Sequence, residues 1–230
     1  MKLYPFMTVD SVVRHIVRVS RWLGFDVLVS VVGELRCFIV IGDGTPEDEI
    51  LAIIAYHLNG DGKVVGVAKP EFVGVKVFEL IPVYLAREVN DVLVLIDQED
   101  YGIDELIREI EKRLKGHGTA IEGRRDEGRL VIYDCRRGKR RFRLIVVING
   151  LNEIPFGKHM VEDHLLKAAK ILFGEQIDNV SLKSRDAKEA WRKLYQYREE
   201  IYRRLKNDKK FLEDVFPQHV RAMRILGKDC

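Results

Sequence analysis

The chain lacks most of the features that would assign it to a class at once. Among 230 residues there are three cysteines, Cys37, Cys135 and Cys230, odd in number, far apart and without CxxC spacing. That argues against a disulfide framework and against a zinc site, and reduced thiols are expected. No apolar run reaches the roughly 18 residues of a membrane span, and the opening MKLYPFMTVDSVVRH lacks the continuous apolar core of a secretory signal. A soluble, cytoplasmic protein without a membrane partner is expected. There is no GxxxxGK[ST], GxSxG, HExxH or Rossmann glycine pattern, which removes the enzyme classes that announce themselves by motif. Glutamine and asparagine are scarce, at four and six, whereas charged residues make up 33%, a balance found in heat-adapted proteins.

What is present is a sizeable core and an uneven charge. The 47% apolar content suffices for one large α/β domain or a domain with a helical appendage. The net charge of +3 conceals two basic zones. Residues 124–143 hold nine basic and three acidic side chains, and residues 183–210 hold eleven and five. The remainder is acidic. This asymmetry suits a polyanion-binding protein, although solvated helical faces look the same.

The stretch Asp91 to Asp100, DVLVLIDQED, organises the rest. Five consecutive apolar residues, Val92 to Ile96, read as a strand buried on both faces, with Asp97, Glu99 and Asp100 at its carboxyl end. In open α/β sheets that edge is where ligands bind. An earlier apolar run, Arg36 to Ile41, ends at Gly42-Asp43-Gly44, and Thr45-Pro46-Glu47-Asp48 then opens a helix with an N-cap, a proline at the first position and first-turn acids. Lys63 to Ala68 reads as a strand, Val75 to Glu88 as a helix kinked or shortened by Pro82, and Asp104 to Lys115 as an amphipathic helix. Strand and helix alternate through 36–115, the pattern of a parallel sheet. Val27 to Val32, Leu130 to Cys135 and Phe142 to Ile148 read as further strands, Ser11 to Leu23 and Lys158 to Phe173 as helices, and 183–226 as a helical tail.

Hard cations such as Mg²⁺ prefer carboxylate oxygens, and alternate residues at a strand end, Asp97 and Glu99, can point two of them into one crevice. The alternative is that Asp97 hydrogen-bonds a loop and a neighbouring acid caps the next helix. Glu162, Asp163, His159 and His164 form a second polar group near a helix start. His159 and Asp163 stand four apart and can share a face for a metal or proton-transfer role, or the acids are ordinary first-turn residues. Arg136, Arg137, Lys139, Arg140 and Arg141 form a basic loop suited to phosphate contacts with DNA or RNA. In the tail, Trp191, Tyr195, Tyr197 and Tyr202 among basic residues offer stacking plus charge, or serve as core.

The order strand-Asp43-Gly44-Thr45-Pro46-Glu47-helix, strand, helix, strand-Asp97-Gln98-Glu99-helix resembles the Toprim domain of topoisomerases, bacterial primases and overcoming-lysogenization-defect nucleases. It is most similar to small uncharacterised archaeal proteins of that fold, over about residues 36–170, including Val161-Glu162-Asp163-His164-Leu165-Leu166. The resemblance implies a mostly parallel sheet flanked by helices with a C-terminal helical extension, divided as 1–35, 36–175 and 176–230. It also implies Mg²⁺ held by Asp43, Asp97 and Glu99, with Asp100 beside them, for phosphodiester cleavage or transfer. Asp43 would be able to move a proton. Two positions depart from the family's pattern: Asp43 stands where Glu is usual, and Glu99 where a second Asp is usual. A catalytically silent Toprim-like scaffold, binding a protein or a nucleotide, is the competing expectation.

Overall fold

The computed structural model describes residues 1–5, 10–24, 26–28, 35–42, 45–58, 63–85 and 89–228. Seven strands form one sheet in the order β1-β3-β2-β4-β7-β6-β5, with β1 at Lys2–Pro5, β2 at Cys37–Ile41, β3 at Val64–Ala68, β4 at Asp91–Asp97, β5 at Ala120–Glu127, β6 at Leu130–Arg137 and β7 at Arg140–Asn149. β1, β3, β2, β4 and β7 run parallel, and β7, β6 and β5 form an antiparallel meander. The α/β class and the mostly parallel sheet match the expectation.

Strand alternation sorts the side chains of the central strands between two cores. Ile39, Ile41, Leu93, Leu95, Ile145 and Val147 face one side; Phe38, Val40, Val92, Val94, Ile96, Leu144, Val146 and Ile148 face the other. Helices α1 (Asp10–Leu23), α2 (Thr45–His57), α5 (Val161–Phe173), α6 (Glu175–Leu182), α7 (Ala187–Lys193), α8 (Arg198–Asn207), α9 (Lys209–Val215) and α10 (Pro217–Leu226) cover the first face. The second is covered by a 3₁₀ turn at Gly74–Leu80, α3 (Ile81–Tyr84) and α4 (Ile103–Gly116). The helical tail thus shares the core of α1 and α2, because each of its helices contributes buried apolar residues to it, among them Trp191, Leu205, Phe216 and Met223.

Three local differences from the sequence expectation have physical causes. The stretch read as a helix from Val75 is a 3₁₀ turn followed by a one-turn α-helix, with Pro82 in that first turn. β5 has no apolar alternation to announce it, since AIEGRRDE is largely exposed and held by pairing with β6. Reduced thiols hold for Cys135, a buried free thiol whose pKa burial pushes up to about 12. They do not hold for Cys37, which is disulfide-bonded, because sequence spacing says nothing about which thiols a fold brings together. Residues 29–34, most of the strand read over Val27 to Val32, lie outside the described residues, as do Asp43 and Gly44.

Candidate functional site

β2 and β4 are neighbours and parallel, with Ile41 opposite Leu95. The chain leaves β2 for β3 on one side and enters β4 on the other, so the sheet's topological switch point lies between these two strands. The described carboxyl ends there are Gly42 and Asp97, with Asn149 beside Asp97 at the end of β7.

The parity that sends Leu93 and Leu95 to the α5 and α10 side sends Asp97 there too, and Asn149 follows Ile145 and Val147 in the same way. The outcome is a buried polar knot. Asn149 Nδ2 donates to Asp97 Oδ1 at 2.9 Å and to the carboxylate of Glu47, from the first turn of α2. Asp97 Oδ1 also accepts the amide of Val161, the first residue of α5, at 3.0 Å. His219, from the first turn of α10, lies 2.7 Å from Asn149 Oδ1 through Nε2. Because Asn149 Oδ1 can only accept, His219 donates through Nε2. Glu47, Asn149 and His219 are 1%, 0% and 3% exposed, so the knot is sealed from the α10 side. The gap left between α2, Leu95, Val161 and His219 is about 10 Å³, no more than one water.

Glu99 and Asp100 take a different direction. Strand alternation stops at Asp97, and Glu99 adopts a left-handed φ of 55°. Its backbone is clamped to His159 by two hydrogen bonds, Glu99 N to His159 O at 2.9 Å and His159 N to Glu99 O at 3.1 Å. The Glu99 and Asp100 carboxylates lie at the surface on Lys158 Nζ, at 3.4 and 3.0 Å. Alternate spacing therefore does not place Asp97 and Glu99 in one crevice; the turn separates them. Among the described residues no three His, Cys, Asp or Glu side chains are grouped to hold a metal ion. Asp43, the third carboxylate of the sequence-based set, lies outside the described residues.

The second polar group is built into α5. Asp163 Oδ2 accepts the Leu151 amide at 2.9 Å and lies 2.8 Å from His159 Nδ1. Burial raises the Asp163 pKa against the lowering effect of those bonds, and burial also raises that of Glu162. Gly150 sits between this pair and Arg129. Its φ is 122°, and a Cβ there would fall 2.4 Å from His159 Cβ and 3.2 Å from Arg129 Nη1. His164, expected in the same polar group, turns instead to α9, its Nδ1 2.7 Å from Val215 O, where burial pushes its pKa down to about 4. It stacks on Phe216 and meets His219 edge-on at 5.1 Å between ring centres.

The basic loop occupies the opposite edge. Arg136, Arg137, Lys139, Arg140 and Arg141 surround the β6–β7 turn, at the start of β7, whereas Asn149 ends it. Nine residue steps of strand put about 30 Å between these edges. Arg136 and Arg141 both pair with Glu122 of β5, at 2.6 and 3.1 Å, Arg140 donates to Leu85 O and Arg137 to His117 O. Lys139 is exposed.

Glu47, Asn149 and His219 were absent from the sequence-based site. Asn149 had a readable signal, since it ends the apolar run Leu144 to Ile148 as Asp97 ends its own. Glu47 in a first turn reads as a helix-dipole residue, and nothing local marks His219. The fold and this edge define a class: a mostly parallel α/β sheet with buried carboxylates at its switch point. Comparison of the chain with models of protein families, with curated proteins and with solved structures gives no match.

Proposed function

We propose that the carboxyl edge is a Toprim-like divalent-cation site and that the chain acts on or binds nucleic acid through its phosphates. The observation that carries this reading is the convergence of two buried carboxylates, Glu47 and Asp97, on one point held by Asn149 Nδ2. Mg²⁺ is bound by one or two carboxylates together with water and substrate phosphates, and two converging acids at a switch point would supply the carboxylate part of that set. Asp97 and Glu47 would hold the ion, and Asp43 would complete the set. The ion would supply neutralisation of charge on a phosphoryl oxygen. His159, oriented by Asp163, is able to move a proton at this edge: Asp163 holds Nδ1–H and leaves Nε2 as the basic nitrogen.

The test is calorimetric titration of Mg²⁺ and Mn²⁺ into the wild type, Glu47→Gln and Asp97→Asn, alongside cleavage assays on single- and double-stranded DNA and RNA. Saturable binding lost in both variants is expected. No binding to a folded wild type would sink the reading.

One observation favours a second reading, a catalytically silent Toprim-like scaffold that binds a partner or nucleotide. Asp97 ties β7 to the start of α5, and His219 roofs the knot from α10, so the acids would serve as a structural joint. In that case the ion titration is flat, and Asp97→Asn lowers the melting temperature.

A further inference from the structure

On the sheet face covered by the helical layer, α1, α2 and α8 enclose a cleft of about 330 Å³, lined by Arg18, Val19, Trp22, Glu49, Arg198, Glu199 and Tyr202. It uses none of the carboxyl-edge residues. Its size is that of a small-ligand site. Trp22 and Tyr202 meet edge-on, 6.2 Å between ring centres, and form an aromatic wall. Glu49 is ion-paired with Arg18. Arg198 makes no ion pair among the described residues. Its guanidinium stands 4.9 Å over the Trp191 ring and donates to Trp191 O at 2.9 Å, which fixes its position. Its Nε is buried without a hydrogen-bond partner.

A guanidinium with no carboxylate partner keeps terminal N–H donors for an anionic ligand. Here that cation stands over Trp191 and lines a cleft with two aromatic rings. An aromatic wall takes a planar, weakly polar group; a fixed, unpaired guanidinium takes an anionic oxygen. We infer that this cleft binds a nucleoside monophosphate, with the base against Trp22 and Tyr202 and the phosphate on Arg198. The aromatic and basic residues of the tail are thereby divided: Trp191 is core and supports Arg198, Tyr202 lines the cleft, and Tyr195, 74% exposed, stands apart. The site is the same under either reading of the carboxyl edge.

The probe is the full chain in EDTA, titrated with AMP, GMP and the matching nucleosides, followed by tryptophan fluorescence and calorimetry. Sub-millimolar binding of the nucleotides is expected, on the scale of ligand efficiencies for molecules of this size. The nucleosides should bind at least about tenfold more weakly, as loss of a charge-assisted hydrogen bond implies. Arg198→Met, which keeps an apolar stem against Trp191, should remove the advantage of nucleotide over nucleoside while leaving nucleoside binding unchanged. Trp22→Leu should weaken both by about tenfold. A 5′-phosphorylated trinucleotide separates two sources of the same chemistry: binding no tighter than AMP assigns the cleft to free nucleotides, and tighter binding assigns it to a strand end. Absence of saturable nucleotide binding to the wild type, or an Arg198→Met protein of unchanged melting temperature that still prefers nucleotide over nucleoside, overturns the inference. EDTA removes divalent ions, so failure here is distinct from failure of the carboxyl-edge titration.

Discussion

The two edges of the sheet carry charged clusters of similar prominence in the sequence, yet they are built on opposite physical terms. At the carboxyl edge, Glu47, Asp97, Asn149 and His219 are withdrawn from water and joined by hydrogen bonds through Asn149. At the amino edge, the arginines of the β6–β7 turn are spread over an antiparallel meander, two of them, Arg136 and Arg141, sharing Glu122 in water. A buried polar group that loses its partner forfeits its full desolvation cost, whereas an exposed ion pair is screened. The separation of about 30 Å also means that one short segment of backbone cannot touch both. Charge clusters in sequence therefore say little until burial is known.

Removing the centre of the buried knot should give the largest effect. Asn149→Leu deprives Asp97, Glu47 and His219 of a shared partner at once, and a loss of roughly 3–5 kcal/mol is expected in denaturant unfolding. A loss below about 1 kcal/mol would mean that the knot does not bind the layers together.

Acid should come next. Burial lowers the folded-state pKa of His164 to about 4 and that of His219 well below the usual 6.5. With folded pKa values below the unfolded ones, the unfolded chain takes up protons first. The stability these residues carry is complete above about pH 6.5 and is lost as pH falls towards 4, by about 3 kcal/mol for His164 alone. Glu162, Asp163 and Asp48, with pKa values raised by burial, act in the opposite sense, favouring the fold at low pH and losing that benefit as pH rises. His219→Gln should therefore flatten the stability curve between pH 4 and 6.5. An unaltered slope in the variant would place the acid sensitivity elsewhere.

Gly150→Ala should cost about 2 kcal/mol, through a φ that L residues avoid and the contact with His159. Melting curves measure it. A neutral result would mean that the His159–Asp163 pair is loosely seated.

Much of the frame was legible because apolar periodicity is a local signal. β4 is read from five apolar residues, α4 from its spacing, and the α/β class from their alternation. The carboxyl-edge chemistry was legible only in part. Asp97 was found as the last residue of a buried strand, but the left-handed turn at Glu99 is a backbone feature that spacing rules do not anticipate. Glu47 and His219 reach Asn149 across 102 and 70 residues of sequence, contacts fixed by how α2 and α10 lie on the sheet. β5 escaped because an exposed edge strand has no core-facing alternation to display.

The smallest effect on stability should be at the amino edge, and it sharpens the contrast most. Arg136→Ala breaks a pair whose arginine is 47% exposed, and no resolvable change in melting temperature is expected, because water and salt replace what Glu122 supplied. The same edge is where polyanion binding by the turn would show. Arg137→Glu combined with Lys139→Glu reverses two charges on it. If the turn grips nucleic acid, this variant loses binding, and the wild type shows affinity falling linearly in log–log form with salt. Retained binding in that variant would transfer the polyanion contact away from this edge. An equal loss of stability in Arg136→Ala and Asn149→Leu would abolish the distinction between the edges, since it would require a solvated ion pair to matter as much as a sealed one.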